Sequence, residues 1–138
     1  MLLDSSAWIE YFLGTAKGRK IRNWLSGSPA YASAASYAEI TRWALRSKQA
    51  PEPFLRQLES VARILPIEKS VLVASGYMTE DRRKTHEKWG IMDGIIYATA
   101  RKHGLELLTA DQDFKGLESA IVIESASTPV GGGQGQNP

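Results

Sequence analysis

The residues best suited to chemistry are carboxylates. They are Asp4 behind Leu2-Leu3, Glu39 within Ser36-Tyr37-Ala38-Glu39, Asp93 behind Gly90-Ile91-Met92, and Asp111 behind Leu107-Leu108-Thr109-Ala110. Acids gathered in one crevice repel each other and raise each other's pKa unless a cation neutralises them. A convergent set without basic partners therefore calls for a hard divalent ion, with Mg2+ or Mn2+ the natural occupant. Such an ion lowers the pKa of a bound water and offsets negative charge that develops as that water attacks, so no nucleophilic side chain is required. His86, in a charged stretch, and His103, beside Gly104, are not needed for that chemistry. Each acid also has a purely structural reading: Glu39 closing a capping box with Ser36, and Asp4, Asp93 and Asp111 capping helices. Capping alone does not demand an acid at every one of these places, because Ser, Thr or Asn serve equally.

Convergence requires a scaffold that brings the four positions to one edge. Leu2-Leu3 reads as a buried strand that stops at Asp4-Ser5-Ser6 and enters a helix through Trp8, Phe12 and Leu13, which Gly14 ends. Gly18 is expected to open a second helix through Trp24-Leu25, and residues 30–33 form a candidate strand. The helix with Glu39 follows, its apolar face continued by Ile40, Trp43 and Ala44. Pro51 and Pro53 then start a helix carrying Phe54, Leu55, Leu58 and Val61. Ile64 to Ile67 is a third strand, Glu68 to about His86 a long helix, and Asp93 opens a helix that Gly104 terminates. Leu105 to Thr109 and Ile121 to Ile123 are the last strands. Short apolar strands separated by helices imply a parallel sheet covered on both faces, an α/β three-layer domain. In such a sheet the ligand crevice lies beyond the carboxyl ends of the strands, where these acids fall.

The chain has 138 residues, 43% hydrophobic and 23% charged, enough for one domain with an ordinary core. It contains no cysteine, which excludes disulfides, thiolate metal sites and cysteine nucleophiles and fits a cytoplasmic protein. No run approaches the roughly 20 apolar residues of a membrane span, so no membrane association is expected. Residues 1–124 are expected to form the domain, and 125–138, rich in Gly, Ser and Gln, a flexible tail.

With a net charge of only +2 the chain is no polycation, so local clusters must decide the nucleic-acid question. Three stand out: Lys17 to Arg22, Arg42 with Arg46 and Lys48, and Arg82, Arg83, Lys84 and Lys88. A negative pocket repels a phosphate backbone, so cations are needed on its rim. Arg42, Arg46, Arg82, Arg83, Lys84 and Lys88 flank the acidic motifs and are the expected nucleic-acid contacts, with Trp89 as a base-stacking residue. Trp8, Phe12, Trp24 and Leu25 exceed what a small core needs, and part of that surface is expected to accept a partner segment.

Four segments resemble the motifs of the PIN-domain family, in particular VapC-like toxin ribonucleases. They are Leu2-Leu3-Asp4-Ser5-Ser6, Tyr37-Ala38-Glu39-Ile40, Ile91-Met92-Asp93-Gly94 with the alanine-rich run after it, and Leu107-Leu108-Thr109-Ala110-Asp111-Gln112-Asp113-Phe114. The match spans residues 1 to about 123. Gly94 stands where the family usually has alanine, at a cost in helix propensity. The resemblance implies a sheet ordered 3-2-1-4-5 and a Mg2+- or Mn2+-dependent endoribonuclease. It also implies, for short toxin members, a homodimer held by a cognate antitoxin. By the same resemblance Asp4 and Asp93 are direct metal ligands and Glu39 and Asp111 complete the pocket. Asp113 is a further contributor, and Thr109 and Ser6 orient the carboxylates. Three alternatives stay open: another acid-pocket phosphoryl-transfer domain, a PIN nuclease of RNA maturation, and a non-catalytic module with structural acids. A haloacid-dehalogenase phosphatase would need a second aspartate two residues after Asp4, where Ser6 stands.

Overall fold

A computed structural model describes residues 1–124; the proposed tail, 125–138, lies outside the described residues. The chain runs β1 (Leu2–Leu3), α1 (Ser5–Leu13), α2 (Ala16–Leu25), β2 (Tyr31–Ser33), α3 (Ala35–Arg46), α4 (Glu52–Val61), β3 (Arg63–Leu65), α5 (Lys69–Arg82), α6 (Ile91–Lys102), β4 (Leu107–Thr109), a short 3-10 turn (Gln112–Phe114) and β5 (Ala120–Val122). The five strands form one parallel sheet ordered β3-β2-β1-β4-β5, as the family resemblance implied. Leu2 and Leu3 register with Leu107 and Leu108, and Thr109 with Val122. The β1 and β4 ends that precede Asp4 and Asp111 therefore lie side by side.

Two apolar layers cover the sheet. One packs Leu2, Leu107, Ile96 and Ala100 with Trp89 and Phe114, and the other packs Leu3, Leu108, Trp8, Ile21, Ile40 and Leu58. Consecutive strand residues point to opposite faces, so Leu2 and Leu3 feed different layers. That is why β1 tolerates no polar residue before its end.

Three local expectations are corrected. Gly18 does not open α2. Thr15 caps it, its hydroxyl accepting from the Gly18 N–H, and Gly18 sits inside the helix where a Cβ would come within 2.0 Å of the Glu10 carbonyl. Its role is the close crossing of α1 and α2. Ser36 and Glu39 form no capping box, because α3 begins at Ala35 and Glu39 lies one turn further in. The helix expected to reach His86 stops at Arg82, and residues 83–90 turn back toward the sheet. Gly94 has a physical reason as well: a Cβ there would lie 2.8 Å from the Thr79 hydroxyl and 3.0 Å from the Ser75 carbonyl, so glycine lets α6 press against α5. That gain offsets its poor helix propensity.

Candidate active site

Asp4 occupies the N-cap position of α1 yet makes no capping hydrogen bond with its side chain. Its Oδ2 instead accepts from the Ser6 hydroxyl and from the Thr109 hydroxyl, both at 2.8 Å. Ser6 and Thr109 are themselves 3.1 Å apart, and the Ser6 oxygen accepts from the Ala110 N–H at 3.1 Å. The two hydroxyls thus tie β1 and β4 together around one carboxylate, at 3% exposure. The capping explanation for Asp4 is set aside by this geometry.

Asp93 and Asp111 do serve local structure. Asp93 Oδ2 accepts from the Gly90 N–H at 2.9 Å, in the third position of α6. Asp111 Oδ1 accepts from the Asp113 N–H at 2.9 Å, and the Asp111 N–H donates to the Thr109 oxygen at 3.0 Å. These bonds use one carboxylate oxygen each and leave the other available. Glu39 comes from the opposite side, on α3, half-buried. The N-termini of α1 and α3 are stapled by a buried contact between the Ser5 and Ser36 hydroxyls at 2.8 Å. Sequence reasoning missed that pair as support for the site; its signal was two hydroxyls in first turns that face an apolar layer.

Burial first, and then the nearby charges of Asp4, Glu39 and Asp111, push the Asp93 carboxyl up to about 7 against the lowering bond from the Gly90 N–H. Glu39 is raised first by burial, then by Asp4 and Asp111, with Ser5 and Arg42 working against the rise. Asp4 is raised by burial, against the bonds from Ser6 and Thr109, with Asp111 adding repulsion. The four acids therefore feel one another. The ion pairs among the described residues, Lys84–Asp81, Arg101–Glu118 and Lys102–Glu68, involve none of them.

Among the described residues no three His, Asp or Glu side chains close on one point as a ready-made metal cage. The donor set still fits one ion class. It is all oxygen, mutually repelling and free of salt-bridge partners, which suits an ion such as Mg2+ that keeps several waters and takes only one or two carboxylates directly. Asp113 is half-buried beside the set, its carboxylate in no described hydrogen bond.

The expected RNA contacts separate. Arg42 and Arg46 are exposed on α3 and line an open depression of about 640 Å³ with Tyr37, Ala38, Thr41 and Leu45. A smaller one joins them to Glu39 and Trp43. Arg83 and Lys88 are exposed, and exposed Lys84 reaches Asp81 at 3.7 Å. Arg82 is not a free rim cation: its Nη2 donates to the carbonyls of Asp113 at 2.6 Å and Lys115 at 3.1 Å. Trp89 cannot stack on a base, because it is fully buried against Phe114, ring centroids 4.8 Å apart. Of the aromatic set on the first two helices, Trp8 is core, Phe12 and Leu25 are half-buried, and Trp24 is 43% exposed.

A five-stranded parallel sheet with acids at the carboxyl ends of its central strands defines an acid-pocket α/β domain. The PIN domain model matches residues 1–119, and the chain belongs to the PIN domain family. No curated protein sequence matches it. Among solved structures it is similar to a toxin–antitoxin complex from Klebsiella pneumoniae, at 27% identity and a TM-score of 0.68 over 88% of this chain and 95% of that one. It is similar to FitAcB from Neisseria gonorrhoeae at 27% identity, with a TM-score of 0.56 over 81% and 88%. It shares its fold with VapC20 of Mycobacterium tuberculosis, described as a sarcin–ricin loop cleaving toxin, at 21% identity and a TM-score of 0.64 over 82% and 91%. The fold is thus that of the VapC-like toxins.

Proposed function

We propose that this protein is a Mg2+- or Mn2+-dependent endoribonuclease, the toxin of a toxin–antitoxin pair, acting in the cytoplasm. The observation that carries the reading is the gathering of Asp4, Glu39, Asp93 and Asp111 at one edge of the sheet, with none of them in an ion pair among the described residues and with burial first, and neighbouring acids second, raising Asp4, Glu39 and Asp93. Asp4 and Asp93 would hold the ion, with Glu39 and Asp111 completing the pocket directly or through water and Asp113 at its margin. A divalent ion held there would supply Lewis acidity for phosphodiester hydrolysis. The chain's own part is to fix the acids: Ser6 and Thr109 orient Asp4, the Gly90 N–H orients Asp93, and the Asp113 N–H orients Asp111. Arg42 and Arg46 meet the backbone of the RNA on the α3 side, where their charge offsets repulsion from the pocket.

A cognate antitoxin and a second copy of the chain are the proposed partners. The likeness to the Klebsiella complex supports the first, and the exposed Trp24 offers it an apolar contact. The second is supported by Leu72, Val73 and Tyr77, which α5 exposes together. No helix among the described residues is long and apolar enough to cross a membrane.

Cleavage of RNA by the purified protein should require Mg2+ or Mn2+, stop with chelator, and be abolished in Asp4→Asn and in Asp93→Asn. Metal-dependent cleavage that persists in Asp93→Asn would overturn the assignment.

A further inference from the structure

Arg82 closes α5 and reaches across to the 3-10 turn, where its Nη2 donates to two carbonyls, Asp113 at 2.6 Å and Lys115 at 3.1 Å. Its guanidinium also lies 5.5 Å from the centroid of the Trp89 ring. Trp89 is in turn fixed by packing on Phe114 and by donating from its indole N–H to the Thr79 hydroxyl at 3.3 Å. The guanidinium is thus held between a buried aromatic and the backbone of a turn, and its Nε is buried without a described acceptor. A side chain kept for solvent or for a transient RNA contact has no reason to accept that desolvation.

The turn it grips is the one that sets Asp111. The carbonyl of Asp113 accepts from Arg82, and the N–H of the same residue donates to Asp111 Oδ1 at 2.9 Å. From Asp111 the network continues through its N–H to Thr109, and from the Thr109 hydroxyl to Asp4 Oδ2. An unbroken chain of hydrogen bonds therefore runs from the end of α5 to the most buried acid of the pocket. Charge-assisted bonds from a planar guanidinium to paired carbonyls are strong and directional, which suits a fastening role.

We infer that Arg82 is a positioning residue for the acidic pocket, clamping the Asp111–Lys115 turn so that Asp111 keeps its place beside Asp4. The inference rests on the nuclease reading above, and its test separates the two. The full chain is compared with Arg82→Ala and Arg82→Lys, the latter keeping the charge but replacing the guanidinium that packs over Trp89 with a compact ammonium. Amide hydrogen exchange at Asp113, Phe114 and Lys115 should rise about 10-fold in the alanine variant while β1 and α6 stay protected, because only the turn is released. Mn2+ affinity should weaken about 10-fold, with a matching fall in kcat and an unchanged KM for RNA, the pattern of a lost outer support. The lysine variant should fall between, and it carries the test should the alanine variant not fold. A raised KM with a shallower salt dependence, at unchanged Mn2+ affinity and unchanged exchange, would make Arg82 an RNA contact and overturn the inference. Should the unmodified protein neither bind Mn2+ nor cleave RNA, the nuclease reading fails, and exchange at the turn alone decides whether Arg82 clamps it.

Discussion

Two basic groups flank the acidic crevice and look interchangeable in the sequence, yet the fold uses them differently. On α3, Arg42 and Arg46 stand exposed in the described structure with no ion pair, and Arg42 is near enough to oppose the rise of Glu39. At the end of α5, Arg82 is spent on backbone carbonyls, and Trp89 beside it is core. In the proposed reading one wall meets a ligand and the other holds the pocket in shape. A run of cations near an acidic motif therefore says where charge lies in the chain, and only packing says what the charge is for.

The largest expected effect lies on the holding wall. Trp89→Ala should destabilise the protein by about 3–5 kcal/mol through a cavity against Phe114, whereas Trp24→Ala on the exposed face of α2 should cost under about 1 kcal/mol. Denaturant melts of the two variants check this, and equal losses would erase the distinction between a core tryptophan and a surface one. On the meeting wall, Arg42→Ala with Arg46→Ala should weaken RNA binding about 10- to 100-fold at low salt and flatten its salt dependence, with Mn2+ affinity and melting temperature unchanged. Binding measured across a salt series decides it; an unchanged slope would return α3 to ordinary solvated surface. Neutralising Arg83, Lys84 and Lys88 together should change binding by less, because Lys84 is already paired with Asp81 and none of the three is among the charges that act on the acids.

A smaller effect concerns the acids between the walls. The folded Asp93 carboxyl titrates near 7, above its ordinary 3.8, so between those values the folded state binds more protons than the unfolded one. Stability from this group is therefore lost as pH rises from about 4 to about 7, and is fully lost above. In metal-free protein, Asp93→Asn should melt higher than the unmodified chain, by a margin that widens through that window and shrinks when Mn2+ is added. Melting curves at several pH values check it, and a margin that narrows with rising pH would show that Asp93 is not destabilised by its surroundings.

Much of this was legible in residue order. Leu2-Leu3-Asp4 and Leu107-Leu108-Thr109 had to be buried strand ends, because nothing polar interrupts them and an acid or hydroxyl stops them. The family resemblance, rather than residue order, pointed to Thr109 and Ser6 as groups that orient carboxylates, and both hydroxyls donate to Asp4 Oδ2. What stayed hidden depends on contacts far apart in sequence. Trp89, between Lys88 and Gly90, has the neighbours of a surface residue; only the turn after Arg82 carries it inward to Phe114. Ser36 has the spacing of a helix cap to Glu39, but α3 starts two residues earlier than that cap would set it, and the Ser36 hydroxyl meets Ser5 instead. Local pattern ranked these side chains by type, and tertiary packing reassigned them.

The most direct test of the central claim is calorimetric titration of Mn2+ into the metal-free protein, beside Asp4→Asn, Asp93→Asn and the Arg42/Arg46 double alanine variant. Saturable binding to the unmodified chain that releases protons near neutral pH is expected, with loss of that binding in both aspartate variants and its retention in the arginine variant. Undiminished Mn2+ binding in Asp4→Asn and Asp93→Asn would contradict it.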